Sequence, residues 1–407
     1  MKRTNSLIRR ISAGCMAVVM AASMMSFGAF AEETAVPESV GIEVSDDGYV
    51  YLHKEKIAKK TGDNRYEMIM QADAHANGAA LDYLVNNNEK KTVELPKGTF
   101  KTDRTILLGN NTTIIATGTT VFQTNPQKNL IIHEPARTDY KSLYDVKIKG
   151  GTWKIKDNEK QLRQTSTFRF NFASNITLEG CTILTNFKSH AVELIACKNV
   201  TLNKCKLIAK GKTISGSLEE ALQIDLATAA TAPSVVPYGD KFLKGQTCSN
   251  ITVKNSTISG GRGVCANKTD TENSKYLGKY HKNITITGCK ITGITSEAVA
   301  LHNSVGLKVK NNTIISKGSR TDTVYTIGLN IALFKSNKIS AKYKNVITGN
   351  TIKGGRQALF MKSYSGNKYG VTTIKNNKLY CKKGKSEAMA VSDCKKLVNK
   401  GNKKYNW

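Results

Sequence analysis

The feature that most constrains this chain is a tetrapeptide that keeps returning. It reads Asn, then Val or Ile, then Thr, then an aliphatic residue. Copies stand at Asn175-Ile176-Thr177-Leu178, Asn199-Val200-Thr201-Leu202, Asn250-Ile251-Thr252-Val253 and Asn283-Ile284-Thr285-Ile286, with looser relatives beginning at Gly306, Asn345 and Gly370. The shortest intervals are 24 residues (Asn175 to Asn199), 23 (Asn283 to Gly306) and 25 (Asn345 to Gly370). A second β-type run follows the marker, as in Asn312-Thr313-Ile314 and Asn350-Thr351-Ile352. So short a period suits three brief strands and their turns. One such coil cannot bury its own inner face, so copies must stack. The pattern predicts a parallel β-solenoid over 91–407. Alternate apolar residues fill its lumen, and the recurring Asn stacks at a tight turn.

A further cassette recurs in phase with the markers. It stands at Ser189-His190-Ala191-Val192-Glu193-Leu194, at Ser217–Asp225, at Gly261–Ala266, at Ser296-Glu297-Ala298-Val299-Ala300-Leu301 and at Ser386–Val391. Val192 and Leu194, Leu222 and Ile224, and Val299 and Leu301 should point inward. Alternation then places Glu193, Gln223, Asp225, Asn267, His302 and Lys362 on the outer face, in solvent. At the bend leading into the strand the column reads His190, Glu220, Arg262, Glu297, with Glu219 beside Glu220.

Stacked coils lie about 4.8 Å apart, so Glu220 and Glu297, two coils apart, are separated by about 9–10 Å at the backbone. Flexible ends bring such a pair toward the ~6.5–9.5 Å of an inverting glycosidase. Glu220 and Glu297 are therefore the expected acid and base, with Glu219 and Asp225 as substitutes at shorter range. Arg262 between them suits a substrate carboxylate, or keeps one glutamate ionised. Arg262, Gln223, His302, His190, Glu193, Asn267 and Lys362 are the expected substrate contacts. The same Glu–Arg–Glu column also reads as a salt-bridge ladder.

Two intervals are long: 51 residues from Asn199 to Asn250, and 33 from Asn250 to Asn283. The surplus falls at 226–247, which contains Pro233 and Pro237, and at 268–280. Long loops on a rigid scaffold tend to carry function, and these two are expected to wall a groove beside Glu220 and Arg262.

Residues 1–31 read as a signal peptide: basic Lys2, Arg3, Arg9 and Arg10, an apolar run, and Ala29-Phe30-Ala31 as cleavage site. The pattern suits secretion from a bacterium. Residues 32–60 read as a leader and a strand pair, with Asp46-Asp47-Gly48 turning between 41–44 and 49–53. Residues 61–90 carry a helical period, with a break expected at Asn77-Gly78. This helix would cap the N-terminal end of the stack. No later stretch has the ~20 apolar residues of a membrane span.

The net charge is +30, four units of it in the signal segment, and such an excess favours polyanions. In an exported chain the expected partner is an acidic polysaccharide, free or in a cell wall, rather than nucleic acid. A monomer is expected. Eight cysteines follow Cys15. Cys181, Cys205 and Cys289 share one repeat position and Cys197 and Cys248 another, which reads as small stacked thiols, mostly free. Cys181 with Cys205, and Cys197 with Cys248, are the pairs placed to bridge coils. Their spacing is not that of a zinc site. No cofactor is expected; Ca2+ would fit the address, but no calcium motif is present.

Over roughly residues 65–395 the chain resembles the pectin-lyase-like superfamily of right-handed parallel β-helices. Glu94-Leu95-Pro96-Lys97-Gly98-Thr99-Phe100 is similar to that family's lead into the first coil. Polygalacturonases offer the nearest catalytic analogy, with acids on successive coils in Asn-Thr-Asp, Asp-Asp and Gly-His-Gly. The matching places here hold Lys188-Ser189-His190, Glu219-Glu220 and Gly261-Arg262-Gly263. The Arg-Ile-Lys signature, the pectate-lyase calcium acids and the Asp-Pro-His of alginate epimerases are not found. The resemblance implies an all-β, right-handed parallel β-helix with three-strand coils. It also implies a carbohydrate-active protein: a glycoside hydrolase first, a lyase or epimerase second. In a lyase, Arg262 or His302 would be the base. A glycan-binding surface solenoid is the non-catalytic alternative.

Overall fold

Short parallel strands stack into three long sheets that wrap one lumen. The computed structural model describes residues 41–157, 165–267, 278–318, 324–335 and 337–407, and Gly41–Trp407 form a single unit. Residues 1–31, where a signal peptide is expected, residues 32–40 and most of the 268–280 insertion lie outside the described residues. The first sheet includes Ala173–Glu179, Lys198–Asn203, Ser249–Lys254 and His281–Thr287, the strands that carry the Asn markers. The second runs from Gly98–Thr102 to Lys403–Asn406, and the third from Ile106–Leu107 to Met389–Val391.

Register follows the repeat without slip. In the first sheet Ile148, Leu178, Leu202, Val253, Ile286 and Val309 sit one above another. In the third, Phe168, Val192, Leu222, Val264, Val299 and Leu329 do the same. All are buried. The lumen is thus a set of aliphatic columns, as the alternation predicts. The cysteines obey the same rule: all eight described thiols are free, and all except Cys394 are buried.

Two asparagine ladders run along the turns. Asn175, Asn199, Asn250 and Asn283 have φ of 56–58°, a left-handed conformation that Asn tolerates. Each donates from Nδ2 to the Oδ1 of the residue one coil back, from Asn199 to Asn175 at 3.1 Å and onward at 2.9 Å. The second ladder is buried. Asn350 Oδ1 accepts from Asn312 N (3.0 Å) and Asn312 Nδ2 (2.9 Å), while Asn350 Nδ2 donates to Val309 O and Asn377 Oδ1, both at 2.9 Å.

At the N-terminal end the strand pair falls one strand later than expected. Tyr49–Leu52 pairs with Glu55–Gly62, which pairs with Arg65–Met68. The turn is His53-Lys54, with φ of 49° and 70°, the doubly positive geometry of a two-residue hairpin. The sequence hides this turn because neither residue is Gly or Asn. A helix, α1, spans Ala74–Val85 with Asp73 as its N-cap, accepting from Ala76 N at 2.8 Å. It is not broken at Asn77-Gly78. A Cβ at Gly78 would stand 2.5 Å from Thr102 Oγ1, so this glycine serves close packing on the first coil. Among the described residues no helix is long and apolar enough to cross a membrane.

The 226–247 insertion forms two 3-10 turns, Pro233–Tyr238 and Asp240–Phe242. Val235 and Phe242 pack on Phe172, Ile195 and Ala196. The loop therefore packs against the coils that precede it. At the other end Met389–Val391, Cys394–Lys400 and Lys403–Asn406 are the last strands of their sheets. Lys395, Lys396, Lys400, Lys403 and Lys404 are exposed there, and edge lysines discourage strand addition.

The buried ladder yields a test. Asn350→Ala removes two acceptor and two donor bonds from a sealed site, so it should cost about 2–4 kcal/mol in urea unfolding. Asn250→Ala, on the exposed ladder, should cost much less.

Candidate active site

The third sheet gathers the predicted residues on its outer side. Glu220 pairs in register with Arg262, and Val264 with Val299, which sets Glu297 next along. Arg262 Nη1 donates to Glu220 Oε1 at 2.8 Å, and Arg262 Nε donates to Glu297 Oε2 at 3.0 Å. Glu297 Oε2 also accepts from Ser296 Oγ at 2.5 Å, and its Oε1 from Asn330 Nδ2 at 3.2 Å. On the other side of Glu220 stands His190. Its Nδ1 lies 3.0 Å from Glu220 O and 3.6 Å from Glu220 Oε2, and its Nε2 lies 3.5 Å from Glu219 Oε2. The order is thus Glu219, His190, Glu220, Arg262, Glu297.

Apart from Lys362 and Asn267, the outward residues are not in solvent, contrary to the expectation from alternation. Glu220 and Arg262 are each 6% exposed and Glu297 1%. Glu193, Gln223, Asp225, His190 and His302 are buried as well. Alternation sets the direction of a side chain, but not whether other chain lies over it. Among the acids Glu219 is the exception, with one-third of its side chain exposed. Asn267 is half-buried and Lys362 is exposed.

The carboxyls do not behave alike. Burial raises Glu220 above its ordinary value, more than Arg262 and His190 lower it. Burial also opposes ionisation of Glu297, but Arg262, His302 and the Ser296 hydroxyl outweigh it and hold Glu297 below the ordinary value. Asp225 is pushed well above its ordinary value by burial, then by Glu193 and Glu220. Its Oδ1 accepts from Asn267 Nδ2 at 2.8 Å, and its Oδ2 has no hydrogen-bond partner. Glu193 is held down by Arg169, His190 and Ser166 despite its burial. Arg169 Nε donates to Glu193 Oε2, which also accepts from Ser166 Oγ at 2.7 Å.

Arg169 was not singled out from sequence, since it lies in Ser166–Asn171, outside the cassette series. Its signal was an Arg between inward Phe168 and Phe170. Cys265 joins the same network; its thiol accepts from Arg262 Nη1 at 3.3 Å and donates to Asn267 Oδ1 at 2.9 Å. Lys362 does not join this network. It stands over Tyr364, 5.0 Å from the ring centre, and Tyr364 stacks on Phe334, which meets His302 edge-on. A concavity of about 390 Å³ opens beside Ser189 and Thr165, lined by Lys154, Lys156 and Lys210 and one acid, Asp157. One ligand atom each from His190, Glu219 and Glu220 lies within 4.8 Å of the others, a spacing that could hold one cation.

No protein-family model matches the chain, and no curated protein matches its sequence. Solved structures do. A hyperthermoactive exopolygalacturonase from Thermotoga maritima aligns at a TM-score of 0.52 and 9% identity, over 90% of this chain and 94% of that one. The surface protein and adhesin PfbA of Streptococcus pneumoniae aligns at 0.50 and 14%, over 81% and 95%. The A-module of the mannuronan C-5 epimerase AlgE6 from Azotobacter vinelandii aligns at 0.45 and 12%, over 80% and 94%. The fold is that of the parallel β-helices. Identities this low carry the fold alone; polysaccharide-acting enzymes and an adhesin share it.

Two variants probe the network. Arg262→Met leaves Glu220 and Glu297 buried without their counter-charge, and should cost about 3–5 kcal/mol at neutral pH. That loss should shrink in acid as the glutamates protonate. Asp225 binds its proton more tightly folded than unfolded, so its contribution to stability falls as pH rises from the ordinary 3.8 through its raised value. Asp225→Asn should remove that fall, so the melting temperature of the variant minus that of the parent should rise from acid to neutral pH.

Proposed function

We propose that the protein is a secreted carbohydrate-active enzyme that cleaves an acidic polysaccharide at the bend leading into the third sheet. The observation that carries this reading is the grouping of Glu219 and Glu220 about His190, with one carboxyl exposed and the other raised above its ordinary value. A carboxyl raised above its ordinary value holds its proton to higher pH than its neighbour does, and is the better suited of the two to give it to a leaving oxygen. Glu220 takes that role. Glu219 reaches solvent and serves as the partner carboxylate. Their oxygens approach within 4.8 Å, nearer to the ~5–5.5 Å of retaining glycosidases than to the inverting spacing.

Glu297 then has a different task from the one expected. Both its oxygens are taken by Arg262, Ser296 and Asn330. It holds Arg262, and Arg262 holds Glu220. The acidity of the substrate is supported by Lys154, Lys156 and Lys210 around the neighbouring concavity, and by the likeness in fold to an exopolygalacturonase.

A second reading, glycan binding without turnover, is favoured by the burial of Glu220 and its bond to Arg262, and by the likeness in fold to an adhesin. Incubation with polygalacturonate, alginate and neutral glycans separates the readings. Reducing ends should appear with an acidic glycan, without the ultraviolet absorbance of the unsaturated products a lyase makes. Glu219→Gln and Glu220→Gln should each lower kcat by about a hundredfold or more, and the rate should fall as pH rises through the raised Glu220 value. Binding of polygalacturonate with no product would support the second reading, and unchanged rates in both variants would remove these residues from the mechanism.

A further inference from the structure

The outer face of the second sheet changes character at its C-terminal end. Leu379 and Cys381 of Lys378–Cys381 are buried, so Lys378 and Tyr380 face outward, with Lys382 next on that side. One coil on, Tyr405 pairs in register with Tyr380, and Lys403 with Lys378. Trp407 lies beyond Tyr405 on the same side. One coil back, Lys353 pairs with Tyr380. The face is therefore a flat grid of lysines and aromatic rings, spaced by about 4.8 Å across coils and about 7 Å along strands. Residues 351–354, 378–383 and 403–407 contain no acid. Glu387 is the nearest in sequence, on the adjoining turn Lys385–Ala388.

The cations and rings hold each other. Tyr380 and Tyr405 stack at 4.7 Å between centres, 17° from parallel. Lys353 Nζ lies 5.0 Å from the Tyr380 ring centre and 5.6 Å from that of Trp407, and Lys382 Nζ lies 4.7 Å from the Trp407 ring. A lysine held over an aromatic face has already given up part of its rotamer freedom, so less is lost when an anion arrives. Trp407 remains 38% exposed, and such a ring takes the C–H face of a sugar.

We propose that this face is a second carbohydrate site, one that binds a run of sugars bearing carboxylates. It stands on a different sheet from the Glu219–Glu220 bend and does not depend on turnover there. Lysine supplies point charges for carboxylates, and the rings supply platforms for pyranose faces. The grid carries no Arg, whose fork is the usual reader of phosphate, so nucleic acid is the less suited polyanion. The stack spacing is close to the length of one sugar ring, which lets successive residues of a chain meet successive coils.

The test is calorimetric binding to the full chain. The probes are size-fractionated polygalacturonate, neutral dextran, and a single-stranded oligodeoxynucleotide of matched charge. Polygalacturonate should bind, more weakly as salt rises, and dextran should not. Trp407→Ala and the pair Lys378→Ala with Lys382→Ala should each weaken binding by about tenfold, equivalent to about 1.4 kcal/mol, with melting temperatures unchanged. The same losses should appear when Trp407→Ala or the lysine pair is introduced into the Glu220→Gln chain, where turnover is removed, which separates this site from the catalytic proposal. Unchanged affinity in the variants overturns the site. So does oligonucleotide binding equal to that of polygalacturonate, or a Trp407→Ala variant that binds normally while the lysine pair does not, since either means a charged surface without sugar recognition. Self-association at this face, read by sedimentation and lost in Trp407→Ala, overturns it in favour of a second copy as occupant.

Discussion

In-register stacking of parallel coils is the constraint on which everything else here depends. Each side chain finds its counterpart about 4.8 Å away on both sides. For aliphatic residues repetition is favourable, and the Val192–Leu222–Val264–Val299 column runs unbroken. For asparagine it is also favourable, because one amide both donates and accepts. For charge it is forbidden: identical ions at that distance, out of water, repel by several kcal/mol. A stacked polar column must therefore alternate, and the one that begins at His190 does, as His, Glu, Arg, Glu.

That alternation has chemical consequences. Arg262 divides its bonds between two carboxylates, but their other neighbours differ. Ser296 and Asn330 complete the shell of Glu297, while Glu220 shares His190 with Glu219. Equal burial with unequal partners drives the two glutamates in opposite directions. A repeat protein thus makes unlike groups out of like ones through the coil on either side. Removing Glu297 would act on Glu220 through Arg262, without any direct contact between the two glutamates.

The positive charge is arranged, not merely abundant. Lysines stand both at turns and at outward strand positions. They gather at the concavity beside Ser189 and on the last coils of the second sheet. The first lies next to the grouped acids, while the second is interleaved with rings. Both suit a long acidic chain, which can touch distant points on one rigid rod.

Sequence alone determined the repeat, the inward columns, the Asn turns and the order of the Glu220–Arg262–Glu297 column. All follow from a period of two within strands and of 23–25 between coils, and both are local. It failed at His53-Lys54, where two non-glycine residues adopt positive φ, and at Gly78, whose role is a distant contact with Thr102. It also placed Glu193, Gln223 and Asp225 in water. Only the tertiary structure decided that they are covered, that Arg169 answers Glu193, and that Glu219 alone of these acids reaches solvent. Direction is written in neighbouring residues, whereas burial and partners depend on chain that returns from far away, and together they set how readily each carboxyl ionises.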